Sequence, residues 1–269
     1  MTAEIVERVR RSPRYRDVDA VLLIRLAAEE MPRARNVDDA VKRVKQRLHQ
    51  AVGAYRGAAA ADRVLAPIRA AWSGDLADEA FRTACRTALA RHASTAERLP
   101  HLDRFFAAIW ELTDGPPPSL LDLGCGLGPL SLSWMGLGAD ATYRACDADR
   151  RSLTIAEGFL SLVGQPARVE ACDLVAGGAP SGRAEVALLL KLVPLLDRQD
   201  PAAAARCLGA LDAPHAVISF PARSLGGQRR GMEATYRRRL DDLVAELGIR
   251  EVQEASVPNE LVFVLTLHG

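Results

Sequence analysis

A change in the sequence pattern at residues 114–118 most constrains the fold of this 269-residue chain. Before the run Asp-Gly-Pro-Pro-Pro, apolar residues recur at every third or fourth position, which predicts amphipathic helices. After it, short apolar runs alternate with helical stretches, a pattern typical of βα repeats that build a parallel sheet. Because a Pro-rich run breaks a helix, we predict a helical domain over residues 1–112 and an α/β domain over residues 113–269.

The second region predicts a sheet of seven strands. The strands are expected at Ser119–Leu123, Thr142–Cys146, Arg168–Cys172, Val186–Leu190, Ala216–Phe220, Arg250–Val257 and Leu261–Leu267. Only Pro258, Asn259 and Glu260 separate the last two, which is too short for a crossover helix. The last two strands should therefore form an antiparallel hairpin at one edge of the sheet, beside five parallel strands.

The first region predicts several short helices. Apolar residues recur at helical spacing in three segments up to Leu48, and Asn36 followed by Asp39 resembles a helix start. Further helices are expected across residues 60–72, 75–92 and 101–112.

A glycine-rich turn follows the first predicted strand. Gly124, Gly126 and Gly128 alternate with other residues directly after an apolar run that carries Asp122. Small residues between a strand and a helix let a ligand approach the backbone amides. The G-x-G-x-G spacing differs from the dinucleotide pattern G-x-G-x-x-G and is similar to the first motif of S-adenosylmethionine-dependent methyltransferases. We therefore predict that a nucleotide-like ligand binds at this turn.

Two aspartates end the next two predicted strands. Asp147 stands where a carboxylate can accept hydrogen bonds from ribose hydroxyls, with Ala148 after it and Asp149 as an alternative. Asp173 is placed to meet an adenine amino group, with Leu174 beside the ring. The alternative for both is that they cap the helices that follow.

A lysine ends the fourth predicted strand. Lys191 comes directly after the apolar run Ala187–Leu190, and the carboxyl ends of parallel strands form the ligand crevice. The segment lacks the Asn/Asp-Pro-Pro-Tyr/Phe motif of amino methyltransferases and a cysteine nucleophile motif. This absence disfavours methylation of exocyclic amines and of base C5. It is compatible with attack by an atom that has a free lone pair, such as guanine N7, for which positioning matters more than a general base.

Several segments together resemble a known family. They are Ala96–Pro100, Asp122–Leu130, Leu188–Gln199 and Ser219–Gly227. They are similar to segments of the aminoglycoside-resistance 16S rRNA (guanine-N7) methyltransferases, and the resemblance spans nearly the whole chain. It implies a class I, Rossmann-like methyltransferase fold, S-adenosyl-L-methionine as the cofactor and methylation of decoding-site guanine 1405 in the assembled 30S subunit. It also implies resistance to drugs such as gentamicin and kanamycin.

The resemblance also implies roles for individual residues. Arg98 would hold the methionine carboxylate of the cofactor, Asp147 its ribose and Asp173 its adenine. Lys191 and Gln199 would line the cofactor pocket. Ser219, Phe220, Pro221 and Arg223 would shape the opening for a guanine flipped out of the RNA. No residue is assigned as a catalytic acid or base, and no metal is expected.

Positive charge is concentrated at the N-terminus. Residues 1–70 carry 15 Lys and Arg against 9 Asp and Glu, whereas the chain as a whole has a net charge of +1. We expect the basic residues to contact phosphates of the ribosomal RNA. The expected contacts are Arg10, Arg11, Arg14, Arg16, Lys42, Arg43, Lys45, Arg47, Arg229 and Arg230. The alternative is a solvated helix face.

The remaining expectations concern the cell and rival functions. The chain begins without an apolar signal segment and contains five scattered cysteines, so we expect a cytoplasmic, monomeric protein that binds neither membranes nor DNA. Three rivals stay open: an adenine-N1 methyltransferase at the neighbouring decoding-site position, a small-molecule methyltransferase, and a ribosome-binding protein without activity. The positions of Trp72, Trp110 and Trp134, outside the expected target-binding loops, disfavour the first.

Overall fold

The computed structural model describes residues 1–52, 61–221 and 230–267. The helices are α1 (Thr2–Arg10), α2 (Ala20–Glu30), α3 (Val37–Val52), α4 (Ala61–Ala71), α5 (Glu79–Leu89), α6 (Ala93–Ala96), α7 (Leu102–Trp110), α8 (Leu132–Met135), α9 (Arg150–Leu162), α10 (Leu174–Gly177), α11 (Val193–Asp197), α12 (Ala203–Gly209) and α13 (Arg230–Leu247). The strands are β1 (Ser119–Leu123), β2 (Thr142–Asp147), β3 (Ala167–Ala171), β4 (Val186–Leu190), β5 (His215–Pro221), β6 (Glu251–Ala255) and β7 (Glu260–Thr266).

The strands form one seven-stranded sheet in the order β3-β2-β1-β4-β5-β7-β6. Strands β1 to β5 are parallel to one another, and β7 pairs antiparallel with both β5 and β6. The predicted sheet and its C-terminal hairpin are confirmed, with strand ends within two residues of the expected positions. The chain crosses from β3 to β4 on the other side of β1, so the strand order reverses beside β1, where ligands of such sheets bind.

The sheet is covered on both faces. Side chains of β1 and β4 alternate between two hydrophobic clusters: Leu120 and Leu188 belong to one, and Leu121 and Leu189 to the other. The first cluster includes residues of α4, α5, α7 and α9, and the second includes residues of α10 to α13. Because these central strands are buried on both faces, their sequences are continuous apolar runs.

The helices before the sheet belong to two different hydrophobic clusters. Residues 64–110 share their cluster with the sheet, as in the contact of Phe81 with Phe159 of α9, whose ring centroids lie 6.0 Å apart. Residues 5–48 form a third cluster of their own. The boundary after residue 112 stays a prediction, and the clusters of the described residues favour a division between residues 52 and 61.

Polar side chains begin several helices. Asp19 accepts a hydrogen bond from the Val21 amide at the start of α2, and Asn36 accepts one from the Asp39 amide at the start of α3, as predicted. These acceptors satisfy amides that have no partner within their own helix. No helix in the described parts of the chain is long and apolar enough to cross a membrane.

Candidate functional site

A cavity lies at the carboxyl ends of β1 to β4. Seven residues singled out from the sequence line it: Gly124, Asp147, Ala148, Asp173, Leu174, Lys191 and Gln199. Nine further residues complete the lining: Leu22, His92, Ser94, Cys172, Val175, Leu190, Leu192, Leu195 and Leu196. The lining is therefore mostly apolar, and its polar groups come from strand ends (Asp147, Asp173 and Lys191) and from the segments at α6 and after α11 (His92, Ser94 and Gln199). This combination is typical of a small-molecule site.

The glycine turn after β1 brings the backbone close to this cavity. Gly124 and Gly126 have φ angles of 63° and 50°, in the left-handed region that favours glycine. A Cβ atom on Gly124 would lie 2.9 Å from Leu192 Cδ1, and one on Gly128 would lie 2.8 Å from Asp122 Oδ2. Each of the three positions thus has a backbone angle or a close neighbour that favours glycine, although Gly126 and Gly128 do not themselves line the cavity.

Asp147 is held against the glycine turn. Its Oδ2 accepts a hydrogen bond from the Gly126 amide at 2.9 Å, and its Oδ1 accepts one from the Asp149 amide at 2.8 Å. Burial raises its pKa to about 6, although these amides oppose the shift. Asp149, and not Asp147, caps α9 through the Arg151 and Ser152 amides. The Asp147 carboxylate therefore keeps lone pairs for a further donor.

Asp173 caps a helix, which was one of the two alternatives, and it also lies at the cavity, while its contact with adenine stays a prediction. Its carboxylate caps the short helix α10 through the Val175 and Ala176 amides, and it also lines the cavity. In addition, Arg25 of α2 donates to it from Nε at 2.6 Å and from Nη2 at 3.1 Å. The pKa of Arg25 is raised because this partner and Glu29 together outweigh the effect of burial, which acts in the opposite direction.

Lys191 is placed by an unusual backbone conformation. Its φ is 57°, which a non-glycine residue rarely adopts, and its amide donates to the carbonyl and to the Oγ of Ser219 at 3.1 Å and 3.0 Å. Its ammonium contacts the carbonyl of Ser94, the carboxylate of Glu97 and, at 3.6 Å, that of Glu260. The strand end thus presents a cation to the cavity, as predicted from its position.

A buried ion pair lies behind Lys191. Arg98 donates from Nε and Nη2 to the two carboxylate oxygens of Glu260, at 2.8 Å and 2.6 Å, and Ser219 Oγ donates to the same carboxylate. The side chains of Arg98 and Glu260 are 8% and 2% exposed. The pKa of Glu260 is lowered, because the charges and hydrogen bonds of Arg98, Lys191 and Ser219 outweigh the raising effect of burial. Arg98 does not line the cavity.

The residues expected at the guanine opening are placed differently from one another. Phe220 is fully buried and stacks with Tyr236 at 5.0 Å between ring centroids, so it belongs to the core and does not face an incoming base. Ser219 is also fully buried, and its Oγ accepts a hydrogen bond from the Lys191 amide and donates one to Glu260. Pro221 is half-buried at the end of β5, and Arg223 lies outside the described residues. The expectation that Ser219 and Phe220 shape the guanine opening stays a prediction, and because both side chains are buried they would act on it through the residues that they contact.

The predicted RNA-binding residues fall into two groups. Six carry solvent-accessible side chains: Arg10, Arg11, Arg14, Arg16, Lys42 and Lys45. Among them, Arg11 pairs with Glu7, and Arg14 lies over the ring of Tyr15. Arg47 is different, because Nη1 contacts Glu29 and Glu30 and Nη2 reaches the Gln199 carbonyl at 3.4 Å. Arg43 is shared between Asp39 and Glu30. Arg229 and the side chain of Arg230 lie outside the described residues.

The expectation that Arg47 binds RNA phosphates stays a prediction, and Arg47 already has carboxylate partners within the protein. Its side chain is only 18% exposed and is held by two carboxylates, so it ties α3 to α2 and to the cavity wall. A phosphate would have to displace these carboxylates. The exposed members of the set are better placed for RNA.

Sequence reasoning missed several residues of this site. Leu22 and Arg25 come from the N-terminal helices, and His92 and Ser94 from the segment before α7. Burial lowers the pKa of His92 to about 4, so it is neutral at physiological pH. Glu260 was taken as part of a turn only. Its signal was an acid at the start of a largely apolar C-terminal strand, where a buried carboxylate needs a cation beside it.

The comparisons with known proteins fit this geometry. Residues 11–264 match the model of a family described as ribosomal RNA methyltransferase (FmrO). A 16S rRNA (guanine(1405)-N(7))-methyltransferase from Frankia casuarinae is 40% identical over 263 residues, 96% of this chain and 91% of the relative. The relative of the same name from Micromonospora echinospora is 34% identical over 266 residues, 97% of this chain and 95% of the relative.

Solved structures agree in fold. The structure of the 16S rRNA methyltransferase RmtF in complex with S-adenosyl-L-homocysteine is 31% identical, covers 98% of this chain and 97% of its own, and has a TM-score of 0.84. The 16S rRNA methylase RmtB, at 23% identity and a TM-score of 0.79, shares the fold over 99% of this chain and 98% of its own. The class I methyltransferase fold predicted from the sequence is confirmed, and the chain belongs to the FmrO family of ribosomal RNA methyltransferases.

Proposed function

We propose that this chain transfers a methyl group from S-adenosyl-L-methionine to N7 of guanine 1405 of 16S rRNA in the assembled 30S subunit. The observation that carries the proposal is an acid-lined cavity at the strand ends of a chain belonging to a ribosomal RNA methyltransferase family. Two relatives that cover nearly the whole chain carry the name of this activity. The product would confer resistance to aminoglycosides, and the protein would act as a monomer in the cytoplasm.

The residues present fit the cofactor. S-Adenosyl-L-methionine carries ribose hydroxyls and an adenine amino group, which donate hydrogen bonds, and a carboxylate, which accepts them. Asp147 would accept from the ribose and Asp173 from the adenine, with Ala148 and Leu174 alongside. The cradle at Gly124 leaves no room for a Cβ atom beside Leu192, so the backbone itself would face the cofactor.

The carboxylate of the cofactor would lie towards Arg98 and Lys191. The described contacts of Arg98 use Nε and Nη2, and a guanidinium has five N–H donors, so Nη1 remains for a second carboxylate. Glu260 fixes the orientation of this guanidinium. Gln199 would close the adenine end, where its side chain already accepts from Arg25.

The chemistry asks the protein mainly to position two molecules. The cofactor supplies an activated methyl group. Guanine N7 has a free lone pair at neutral pH, so its attack needs alignment and not a general base. This agrees with His92, which lines the cavity but is a weak base, because burial lowers its pKa to about 4. Pro221, Arg223 and the residues after β5 would guide the flipped base, and Ser219 and Phe220 would support them from within the sheet.

The exposed basic residues of the N-terminal helices would bind the ribosomal RNA. Arg10, Arg16 and Lys42 are exposed and lie on the same helical unit. Phosphate contacts of this kind set the position of the protein without reading the base sequence. Arg229 and Arg230 would add contacts near the target base.

The test is a methyl-transfer assay with labelled cofactor and three substrates: 30S subunits, free 16S rRNA and 50S subunits. We expect label in the 30S subunit alone. Asp147→Ala serves as the matched control, because it removes the ribose contact and should reduce label in proportion to cofactor affinity. Equal labelling of free 16S rRNA would contradict the assembled substrate, and failure to label any of the three would contradict the proposed function.

A further inference from the structure

The N-terminal helix α2 reaches the cavity through a side chain that the proposed function does not use. Arg25 contacts Asp173 with two donors, and its Nη2 also lies 3.2 Å from Gln199 Oε1. Its side chain is 15% exposed and that of Asp173 is 4% exposed. Asp173 and Gln199 both line the cavity at the proposed adenine end.

Helix α2 is also fixed beside the proposed ribose end. The Asp19 amide, directly before α2, donates to the Ala148 carbonyl at 2.8 Å, and Val18 forms a β-bridge with Asp149. Between these contacts and Arg25, Leu22 of α2 lines the cavity. One helix of the N-terminal unit thus forms the outer wall of the cavity from its ribose end to its adenine end.

The hydrogen bonds of Asp173 are distributed unequally between its two oxygens. Oδ1 accepts from the Val175 and Ala176 amides as well as from Arg25, whereas the described partner of Oδ2 is Arg25 Nε alone. A carboxylate oxygen has about two lone pairs, so Oδ2 keeps one for a further donor. Arg25 therefore orients the carboxylate without using all of its capacity.

Arg25 is itself held from behind. Its Nη1 donates to Glu29 Oε1 at 2.9 Å, and the other oxygen of Glu29 accepts from Arg47 at 2.6 Å. Arg47 in turn reaches the carbonyl of Gln199. The guanidinium of Arg25 is thus locked between two carboxylates, and a residue of α3 supports the same wall.

We propose that Arg25 is a positioning residue for the cofactor: it orients Asp173 and Gln199 to receive the adenine, and so makes α2 the outer wall of the cofactor site. The proposal rests on the cofactor site assigned above. Preorganised acceptors lower the cost of ordering on binding. A methyltransferase domain without this helix would lack one side of its adenine pocket.

The test measures the affinity of the full-length protein for S-adenosyl-L-methionine and S-adenosyl-L-homocysteine by calorimetry. Arg25→Met should lower the affinity for both compounds about tenfold, since a hydrogen bond to a charged group contributes about that factor. Arg25→Lys should restore only part of the loss, because a point charge cannot replace a two-pronged contact. Arg8→Met is the matched control: Arg8 pairs with Asp38 in the same helical unit, away from the cavity.

Two readouts separate positioning from a general loss of structure. In a protein that already carries Asp173→Asn, adding Arg25→Met should cause little further loss of cofactor affinity, because Arg25 acts through Asp173. In addition, Arg25→Met should weaken the binding of S-inosyl-L-homocysteine less than that of S-adenosyl-L-homocysteine. In the inosyl compound a carbonyl replaces the adenine amino group that Asp173 would accept from. The proposal would be overturned if Arg25→Met binds the cofactor within twofold of the wild type or more tightly. It would also be overturned if the effects of Arg25→Met and Asp173→Asn simply add.

The failure of this inference is distinguishable from that of the cofactor site. If Asp147→Ala and Asp173→Asn leave affinity unchanged, the assigned site is wrong and the role of Arg25 falls with it. If those variants lose affinity and Arg25→Met does not, only the role of Arg25 is wrong.

Discussion

The two helical regions before the sheet look alike in sequence and are attached to the sheet in different ways. Helices of residues 61–110 share a continuous apolar cluster with it. Residues 1–52 have a separate cluster and meet the sheet domain largely through polar contacts, such as Asp17 with Arg151, Asp19 with Arg150 and Arg25 with Asp173. The first arrangement makes those helices part of the catalytic unit, and the second docks a basic unit over its cavity.

This difference matters because the two kinds of contact respond differently to perturbation. Apolar burial contributes about 25 cal/mol for each Å² and is little affected by salt. Partly exposed ion pairs, such as Asp17 with Arg151 and Asp19 with Arg150, contribute about 0 to 1 kcal/mol each and are screened by salt, whereas the pair of Arg25 with Asp173 is buried.

The largest expected effect tests the shared core. Phe81→Ala should lower the free energy of unfolding by about 3 to 5 kcal/mol, because Phe81 is fully buried between Trp72 and Phe159. The matched variant Leu26→Ala, in the cluster of residues 5–48, should unfold the N-terminal unit more easily while the sheet domain keeps its midpoint. Denaturant titration followed by tryptophan fluorescence reports the sheet domain, where Trp110 and Trp134 lie. A lowered midpoint in Leu26→Ala would mean that the two regions form one cooperative unit.

The next effect tests the buried ion pair that joins the segment before α7 to β7. Glu260→Gln should lower the free energy of unfolding by about 3 kcal/mol, because it leaves Arg98 as a buried charge without a compensating carboxylate. The glutamine oxygen can still accept one hydrogen bond, which keeps the loss at the lower end of its range. Thermal unfolding at constant pH measures it. A loss below about 1 kcal/mol would show that Arg98 is compensated by another group.

A third expectation concerns the cavity between the two regions. The pKa of Asp147 is raised to about 6, chiefly by burial, and ribose hydroxyls form stronger hydrogen bonds with its ionised form than with its protonated form. Cofactor affinity should therefore be constant above this value and fall below it by up to about tenfold for each pH unit, as one proton is taken up. Calorimetry from pH 8 to pH 5 measures this. Asp147→Asn should bind weakly with little slope, and unchanged wild-type affinity at pH 5 would contradict the assignment.

The smallest effect tests the docking contacts of the N-terminal unit. Asp17→Asn should cost about 0.5 kcal/mol or less, because the Arg151–Asp17 pair is partly exposed. Hydrogen exchange of residues 1–52 should increase slightly, and 0.5 M salt should produce a similar increase in the wild type. An effect as large as that of Glu260→Gln would show that docking is as strong as the core.

The sequence was sufficient for the sheet because its signals are local. Continuous apolar runs bounded by turns marked β1 and β4, and the Gly124–Gly128 motif marked the ligand edge. Asp147 and Asp173 were found because they end strands, and parallel strands bring their carboxyl ends together. These features depend on neighbours within a few residues, so they can be recognised without the fold.

Other features depend on partners that are distant in the chain. Arg25 and Asp173 are 148 positions apart, and Arg98 and Glu260 are 162 apart. Nothing local distinguishes Arg25 from the exposed arginines of the same unit, nor Arg47 from Lys42. Phe220 was expected at the guanine because its segment resembles the family, whereas its position inside β5 turns the ring into the core. The two helical regions share one periodicity, which cannot tell what each apolar face covers.

The measurement that tests the central claim most directly maps the modified nucleotide. Purified 30S subunits are treated with this protein and S-adenosyl-L-methionine, the 16S rRNA is reduced with borohydride and cleaved with aniline, and the break is located by reverse transcription. The account predicts one new break at guanine 1405, which Asp147→Ala reduces in step with its cofactor affinity. A break at another nucleotide, or methylated RNA that resists cleavage, would contradict N7 methylation at this position.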